Sequence, residues 1–330
     1  MRIGITGGSG FIGSSLARYL SKTYEIKILD IVEPKNICSS ITFEKCDIRK
    51  KEDVRSALKD VDFVVHTAII QIPRINEDPR LGYMVNVIGT QNVCEVVDEN
   101  PRIKGMILTG SWHVIGESGL SGLIDEGFGY RPDKVEERAR LYALAKITQE
   151  IIVRYYDEMS EKVFGVIRMG TVLGEGMPEK TAANVFIEKG LRGEPITPFK
   201  HSMYRPMLYV DVNDVCQAFE LYIKKIMNRE IRKNGGSLSH VVNVYYPEPI
   251  TIIELAEIVR DTIIELTGGK VRPPIKVIDK GLPMLFNKND KYRFRADISK
   301  VLNFLGMKKL IHPRESIKRI VKSRLSRGSS

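Results

Sequence analysis

A glycine-rich segment close to Met1 constrains the fold of this chain more than any other feature. Residues 7–13 read Gly-Gly-Ser-Gly-Phe-Ile-Gly and lie between a short apolar run and an amphipathic run. Glycines at this spacing permit a tight strand-to-helix turn, close approach of the backbone to a pyrophosphate, and close packing of the helix on the strand. The free N–H groups of that helix would face the phosphates. We therefore expect a dinucleotide site formed by Gly7, Gly10, Phe11, Ile12 and Gly13.

Asp30 ends the second strand-like run of the sequence. A carboxylate in this position accepts hydrogen bonds from a ribose 2′-hydroxyl and repels a 2′-phosphate, which favours NAD over NADP. The alternative is that Asp30 only caps a turn, and the nearby Lys35 could soften the preference. The sequence therefore predicts NAD as the cofactor.

Short apolar runs alternate with longer amphipathic runs through the first half of the chain. The strand-like runs are 2–6, 25–30, 41–46, 61–67, 104–109 and 163–168, and the helix-like runs are 13–21, 53–59, 81–99 and 133–159. Strands that alternate with helices indicate parallel βαβ units. We predict an α/β fold, a doubly wound parallel Rossmann sheet with a smaller α/β C-terminal substrate lobe.

The alternation ends after residue 170, where glycine and proline divide the chain into short segments. We predict an NAD-binding Rossmann domain over residues 1–170, with a returning segment near 207–245. Residues 171–206 and 246–330, with helices near 251–265 and 314–326, would form the substrate-binding lobe. Ligands bind at the carboxyl edge of the sheet in such folds, and the lobe is expected there.

The net charge of +10 is confined to one part of the chain. Residues 1–169 carry a net −1, whereas residues 170–330 carry +11. This asymmetry is expected of a lobe that receives an anionic ligand, or of a lysine-rich chain with a basic tail. The basic residues are not interleaved with aromatic ones and no nucleic-acid module is evident, so we expect no nucleic acid partner.

Composition and cysteine usage exclude several classes of protein. Hydrophobic residues make up 43% and charged residues 28% of the chain, as in ordinary globular proteins. No run approaches the eighteen or so apolar residues of a membrane span, and no signal peptide is evident. The four cysteines show no metal-ligand spacing, so we expect no metal and four buried thiols in a reducing compartment. These features predict a cytoplasmic protein without a membrane partner.

Tyr142 and Lys146 lie one turn apart on one face of a predicted helix. A fixed ammonium near a phenol favours the phenolate and lowers the pKa of the tyrosine from about 10. Such a tyrosine is a general acid and base for interconverting a hydroxyl and a carbonyl. The spacing alone is weak, since a tyrosine also packs on a lysine stem, but the glycine loop strengthens it.

An ordered series of motifs resembles the NAD-dependent epimerase/dehydratase family of extended short-chain dehydrogenases/reductases. The series comprises the glycine loop, Asp30, Cys46-Asp47-Ile48, His66-Thr67-Ala68, Asn86 with Gly89-Thr90, Ser111 before Gly116, Tyr142 with Lys146, Arg168, the segment from Arg205 to Asp211, and residues 296–306. The best-known members of this family act on nucleotide sugars.

The resemblance implies a role for individual residues. Ser111 would donate a hydrogen bond to the substrate oxygen, Tyr142 would move the proton, and Lys146 would hold the nicotinamide ribose. Further cofactor contacts would come from Asp47, Ile48, Thr67, Ala68, Ile69 and Asn86, and further substrate contacts from Trp112, His113, Thr171 and Arg205. Arg205 would bind the diphosphate of the substrate, a task that suits a guanidinium.

The resemblance also implies a homodimer. Helices within residues 81–100 and 133–159 would form a four-helix contact, with Ile147, Ile151 and Tyr155 at its surface.

Three positions depart from the family's pattern. Trp112 and His113 replace the acidic pair of the dehydratases, and Thr171 stands where epimerases often carry asparagine. A late arginine is missing before Ala296, where Phe286, Asn287 and Lys288 stand instead.

We predict a nucleotide-sugar epimerase, acting at C4 by transient hydride transfer to bound NAD. The alternative is a net NAD-dependent dehydrogenase or reductase of a non-sugar hydroxy or carbonyl compound.

Overall fold

A seven-stranded parallel β-sheet forms the centre of the computed structural model, which describes residues 1–35, 38–231 and 235–328. In chain order the strands are β1 (Arg2–Thr6), β2 (Glu25–Asp30), β3 (Ile41–Lys45), β4 (Phe63–His66), β5 (Gly105–Ser111), β6 (Gly122–Ile124), β7 (Val163–Met169), β8 (Thr171–Leu173), β9 (Pro206–Met207), β10 (Tyr209–Asp211), β11 (Val241–Val244), β12 (Ile250–Thr251) and β13 (Phe294–Ala296). The large sheet has the order β11-β7-β5-β4-β1-β2-β3. The others form three two-stranded sheets, β8 with β10, β9 with β12, and β6 with β13.

Helices cover both faces of the large sheet. In chain order they are α1 (Phe11–Leu20), α2 (Lys51–Ala57), α3 (Arg74–Glu77), α4 (Pro79–Tyr83), α5 (Thr90–Glu99), α6 (Arg140–Met159), α7 (Ala182–Leu191), α8 (Val212–Met227), α9 (Ile252–Leu266), α10 (Ser299–Asn303) and α11 (Pro313–Gly328). Apolar side chains of α1 and α8 share one core with β1, and those of α2, α5 and α6 share a second core on the other face. Strands covered on both faces are continuously apolar, as the sequence predicted. The doubly wound parallel fold is confirmed.

A third apolar core forms the smaller lobe. It contains Phe186 of α7, Leu255 and Val259 of α9, and Ile317 of α11. Trp112, which directly follows β5, belongs to the same core. The small lobe therefore begins at the carboxyl end of the central sheet, where the sequence placed the substrate.

Two of the predicted helices differ from the structure by more than two residues or in their type of helix. The predicted helix 81–99 is interrupted by a π-helical turn, Met84–Gly89, and Asn86 in this turn is fully buried. Its amide accepts a hydrogen bond from Ile70 N (2.7 Å) and donates one to Ile70 O (3.0 Å). The wide turn thus clamps the segment after β4. Helix α6 begins at Arg140 rather than near residue 133, since Val135 and Glu136 adopt extended conformations.

The cysteine prediction is partly wrong. Cys46, Cys94 and Cys216 are buried, but Cys38 is exposed because it lies on the surface loop that precedes β3. In the described part of the chain, no helix combines the length and apolar character needed to cross a bilayer.

The basic residues of α11 have acidic partners within the fold. Lys318 pairs with Glu265 (2.6 Å), Arg319 with Asp211, and Arg327 with Glu175 (2.9 Å). The Lys318 and Arg327 pairs are exposed and add little to stability, whereas Asp211 in the Arg319 pair is buried. Helix α11 carries six basic residues and one acidic residue, a net +5 of the +11 in residues 170–330, so it explains only part of the sequence asymmetry.

Candidate active site

The glycine loop is packed directly against the segment that follows β4. Gly7 has a φ of +67°, and a Cβ atom there would lie 2.5 Å from the backbone of Ala68. A Cβ on Gly13 would lie 2.4 Å from the carbonyl oxygen of Gly7. Any larger residue at either position would force the two segments apart. Gly10 instead precedes α1 in an extended conformation and leaves the N-terminus of that helix open.

A cavity of about 290 Å³ extends from this loop to two of the three predicted catalytic residues, Tyr142 and Lys146, whereas Ser111 is not part of its wall. Its walls include Gly7, Gly10, Phe11, Ile12, Gly13, Asp30, Asp47, Ile48, Thr67, Ala68, Ile69, Tyr142 and Lys146. Asn86 was also predicted to contact the cofactor, but it does not line the cavity. It instead forms hydrogen bonds to the backbone of Ile70, and Ile70 does line the cavity. The bare glycine backbone, the open helix N-terminus and the carboxylate of Asp30 fit a dinucleotide with a free ribose 2′-hydroxyl.

Asp30 has a structural task in addition to the predicted one. Its carboxylate accepts hydrogen bonds from Ser9 N (3.0 Å) and Val32 N (3.1 Å), which orient it at the edge of the cavity. Arg49 also lines the cavity, but its guanidinium forms hydrogen bonds to both carboxylate oxygens of Asp47 at 2.6–3.0 Å. The guanidinium of Arg49 is therefore already paired within the protein.

Burial dominates the ionisation of the Tyr142–Lys146 pair. Burial raises the pKa of Tyr142, and the hydrogen bond from Ser111 opposes that rise. Burial also lowers the pKa of Lys146 to about 7, although the charge of Glu150 acts against it. The ammonium donates to Thr109 O at 2.7 Å. The sequence argument treated lysine as the main influence on the tyrosine, whereas the larger influences here are desolvation and Ser111.

Ser111 connects the tyrosine to a histidine and a buried carboxylate. The Ser111 hydroxyl lies 3.2 Å from Nδ1 of His113, and Nε2 of the same ring lies 3.3 Å from Glu117 Oε1. The edge of the His113 ring also contacts the ring of Tyr142, with centroids 5.6 Å apart. Burial disfavours the charge on Glu117, but the hydrogen bond from His113 and the positive charge of Arg205 hold its pKa below the usual value.

Arg205 is buried in a cluster of its own. Its guanidinium is ion-paired with Glu136, lies 3.9 Å from Glu117, and covers the ring of Phe286 at 5.5 Å. Its Nε has no hydrogen-bond partner. The carboxylates therefore already occupy much of the fork that the sequence assigned to a diphosphate.

The remaining predicted substrate residues are divided between the core and the surface. Trp112 is almost completely buried, and its indole nitrogen lies 3.3 Å from the hydroxyl of Thr171, to which it donates. Lys288, which the sequence offered as a substitute for the missing arginine, is exposed.

Sequence reasoning missed three charged residues of this region, Arg49, Glu117 and Glu136. Glu117 follows His113 by four residues, a spacing that could have suggested a contact across the short turn Trp112–Ile115. Glu136 carries no such signal, because its partner Arg205 is distant in the chain.

The comparison with known families identifies the chain. The model of the NAD dependent epimerase/dehydratase family matches residues 3–234. The protein belongs to this family, and its predicted resemblance is confirmed. The family depends on NAD, which confirms the predicted cofactor at the level of the family.

Individual relatives catalyse different reactions. GDP-6-deoxy-D-talose 4-dehydrogenase of Aggregatibacter actinomycetemcomitans is 27% identical over 70% of this chain and 72% of its own. D-erythronate dehydrogenase of Haemophilus influenzae is 26% identical over 59% and 62%. UDP-glucose 4-epimerase of Thermus thermophilus, solved with NAD, has a TM-score of 0.76 at 22% identity over 98% of both chains. At this similarity the epimerase shows a shared fold.

We expect the protein to bind NAD more tightly than NADP. Asp30→Asn is expected to lower the ratio of the NADP and NAD dissociation constants by at least about tenfold. The amide keeps an acceptor for the neighbouring backbone but removes the charge that repels a 2′-phosphate. Fluorescence titration of the unmodified protein and Asp30→Asn with both cofactors measures the change, and Glu257→Gln, which neutralises an exposed carboxylate on α9, is the control for a distant charge. Equal affinity of the unmodified protein for NAD and NADP would contradict the assignment.

Proposed function

We propose that this protein is an NAD-dependent nucleotide-sugar epimerase that acts at C4. The observation that carries the proposal is the cavity that Tyr142, Lys146 and the glycine loop share. Ser111, at the end of β5, lowers the pKa of the tyrosine. A proton acceptor and an expected hydride acceptor thus lie in one cavity. Oxidation of a secondary hydroxyl is the first step that such an arrangement supports.

The residues of the chain divide the proton chemistry among them. NAD, when bound, supplies the hydride acceptor. Tyr142 removes the proton of the substrate hydroxyl, and Ser111 donates a hydrogen bond to the same oxygen. Lys146, fixed by the carbonyl of Thr109, orients the ribose. In an epimerase Tyr142 returns the proton after the keto intermediate has turned over, so that no net oxidation results.

A second candidate function is favoured by the surroundings of Arg205. A diphosphate that binds this guanidinium must displace Glu136 and compete with Glu117, since both carboxylates are paired with it. A net dehydrogenase acting on an uncharged hydroxy compound makes no such demand. Relatives of both reaction types are similar to this chain: a nucleotide-sugar dehydrogenase and an erythronate dehydrogenase on one side, and a nucleotide-sugar epimerase on the other.

Tyr142→Phe is expected to abolish turnover while leaving the melting temperature and NAD affinity nearly unchanged. Phenylalanine keeps the ring packing and removes only the proton-transfer group. Conversion of UDP-glucose to UDP-galactose, followed by chromatography, and NADH absorbance during turnover together measure the activity. Interconversion without NADH release supports the epimerase, steady NADH release supports the dehydrogenase, and full activity of the variant would remove Tyr142 from the mechanism.

Arg205→Ala and Glu136→Gln form a matched pair that tests the diphosphate site. If Arg205 binds the diphosphate, its removal weakens the binding of UDP-glucose by at least about tenfold. Glu136→Gln then keeps or increases the affinity, since it frees the guanidinium. Calorimetric titration with parallel melting curves measures both effects. If both variants melt earlier with unchanged affinity, Arg205 is structural and the dehydrogenase is favoured.

We also propose that the protein is a homodimer. Leu144, Ile151 and Tyr155 form an exposed apolar stripe along α6, and Tyr155 is 67% exposed. A stripe of this kind is suited to an isologous contact around a two-fold axis. The expected contribution of Ile147 is wrong, because this side chain is only 7% exposed and packs into the small-lobe core.

Ile151→Lys is expected to convert the dimer into a monomer. Because the contact is two-fold symmetric, the two introduced ammonium groups lie in the same interface. They repel each other there, and each also loses its hydrating water. Multi-angle light scattering at micromolar concentration gives the mass, and Leu123→Lys, another exposed leucine on β6, is the control. A monomeric unmodified protein would contradict the proposal.

A further inference from the structure

The hydroxyl of Ser111 lies between two groups that can exchange a proton. On one side is Tyr142, whose pKa Ser111 lowers and whose ring also lies against His113 with ring centroids 5.6 Å apart. On the other it lies 3.2 Å from Nδ1 of His113. A hydroxyl has one proton to donate and can accept two more. Ser111 can therefore donate toward either neighbour while it accepts from the other.

Glu117 determines which tautomer of His113 suits this arrangement. Its carboxylate faces Nε2 at 3.3 Å and is only 2% exposed. With a proton on Nε2 directed at the carboxylate, Nδ1 of the neutral ring accepts the proton of Ser111. If Nδ1 is also protonated, the buried carboxylate stabilises the imidazolium, and Ser111 is free to donate to Tyr142.

We propose that Tyr142, Ser111, His113 and Glu117 form a proton relay in which His113 activates Tyr142. The Tyr142 O–H bond breaks as Ser111 receives that proton, and the original Ser111 O–H bond breaks as an N–H bond forms at Nδ1. The products are a phenolate and an imidazolium, so the number of protons and the net charge do not change. His113 acts through Ser111 and does not contact the reacting carbon.

The charges around His113 favour this product pair. The groups that face the ring or its carboxylate partner are Ser111 on β5, Glu117 on the loop after it, Tyr142 on α6, Arg205 before β9, and Glu136 and Arg138 before α6. Arg205 and Arg138 each pair with Glu136. Glu117 is thus the carboxylate that faces a charged His113. Its carboxylate also lies 3.9 Å from Arg205 and accepts a hydrogen bond from Glu136 N at 3.2 Å.

The relay rests on the proton chemistry of the proposed function but is tested without a substrate. In the NAD complex of the full chain, the ultraviolet difference between the unmodified protein and Tyr142→Phe isolates the ionisation of Tyr142. His113→Leu is expected to raise the midpoint of this ionisation by about one pH unit or more, since the phenolate loses its imidazolium partner. Glu117→Gln is expected to raise it in the same direction.

Two further variants separate the relay from its alternatives. Asparagine at position 113 can still donate to Ser111 but cannot accept a proton, so His113→Asn should behave like His113→Leu. A normal midpoint in His113→Asn would overturn the relay and leave an orienting role. In a Ser111→Ala background the His113→Leu shift should disappear, because the path is broken. A full shift there would overturn the relay in favour of a direct field effect.

The control is a second buried histidine–carboxylate pair elsewhere in the fold. His240 Nδ1 lies 2.6 Å from Asp157 Oδ2, and both side chains are 3% exposed. His240→Asn should lower the melting temperature without moving the Tyr142 midpoint. Melting curves of every variant verify that it is folded. If the midpoints shift but no nucleotide sugar is turned over, the relay stands and the epimerase proposal fails; turnover without any shift overturns only the relay.

Discussion

The backbone contact between the glycine loop and the segment after β4 determines the geometry of the whole site. Gly7 approaches Ala68 so closely that no side chain fits between them. Thr67 reinforces the contact by donating from its hydroxyl to Thr6 O at 2.7 Å. Asn86 then fixes Ile70 from the other side. These neutral hydrogen bonds hold one wall of the cavity, and the catalytic residues are positioned relative to it.

The region behind Lys146 contains buried charges. Lys146, Glu150 and Arg168 are almost completely buried, and the last two form an ion pair at 2.6 Å. Removing one partner of such a pair leaves an uncompensated charge, which is far more harmful than losing the pair as a whole. This part of the protein therefore tolerates substitution poorly even at positions that touch no ligand. Burial disfavours the charged form of Lys146 and lowers its pKa to about 7, although the charge of Glu150 opposes this.

The sequence predicted those parts of the site whose residues lie close together along the chain. The glycine loop, Asp30, and the spacing of Tyr142 and Lys146 are local patterns, and each predicts a geometry by itself. The engagement of Arg205 by Glu136 could not be read in this way, because two lobes of the fold bring these residues together. The π-helical turn at Asn86 and the burial of Ile147 were missed for a related reason: helical periodicity says which residues share a face but not what covers that face.

The composition of the small-lobe core has a consequence for the order of folding. This core joins side chains from Trp112, Phe186, Leu255 and Ile317, so its contacts span most of the chain. Contacts between distant segments form slowly, because a long loop must close before they yield any stabilisation. The large sheet instead begins with neighbouring strands, β1 beside β2 and β2 beside β3. The cofactor half of the molecule can thus assemble first and serve as the template on which the substrate half closes, so that a partly folded chain would recognise its cofactor before it could recognise anything to oxidise.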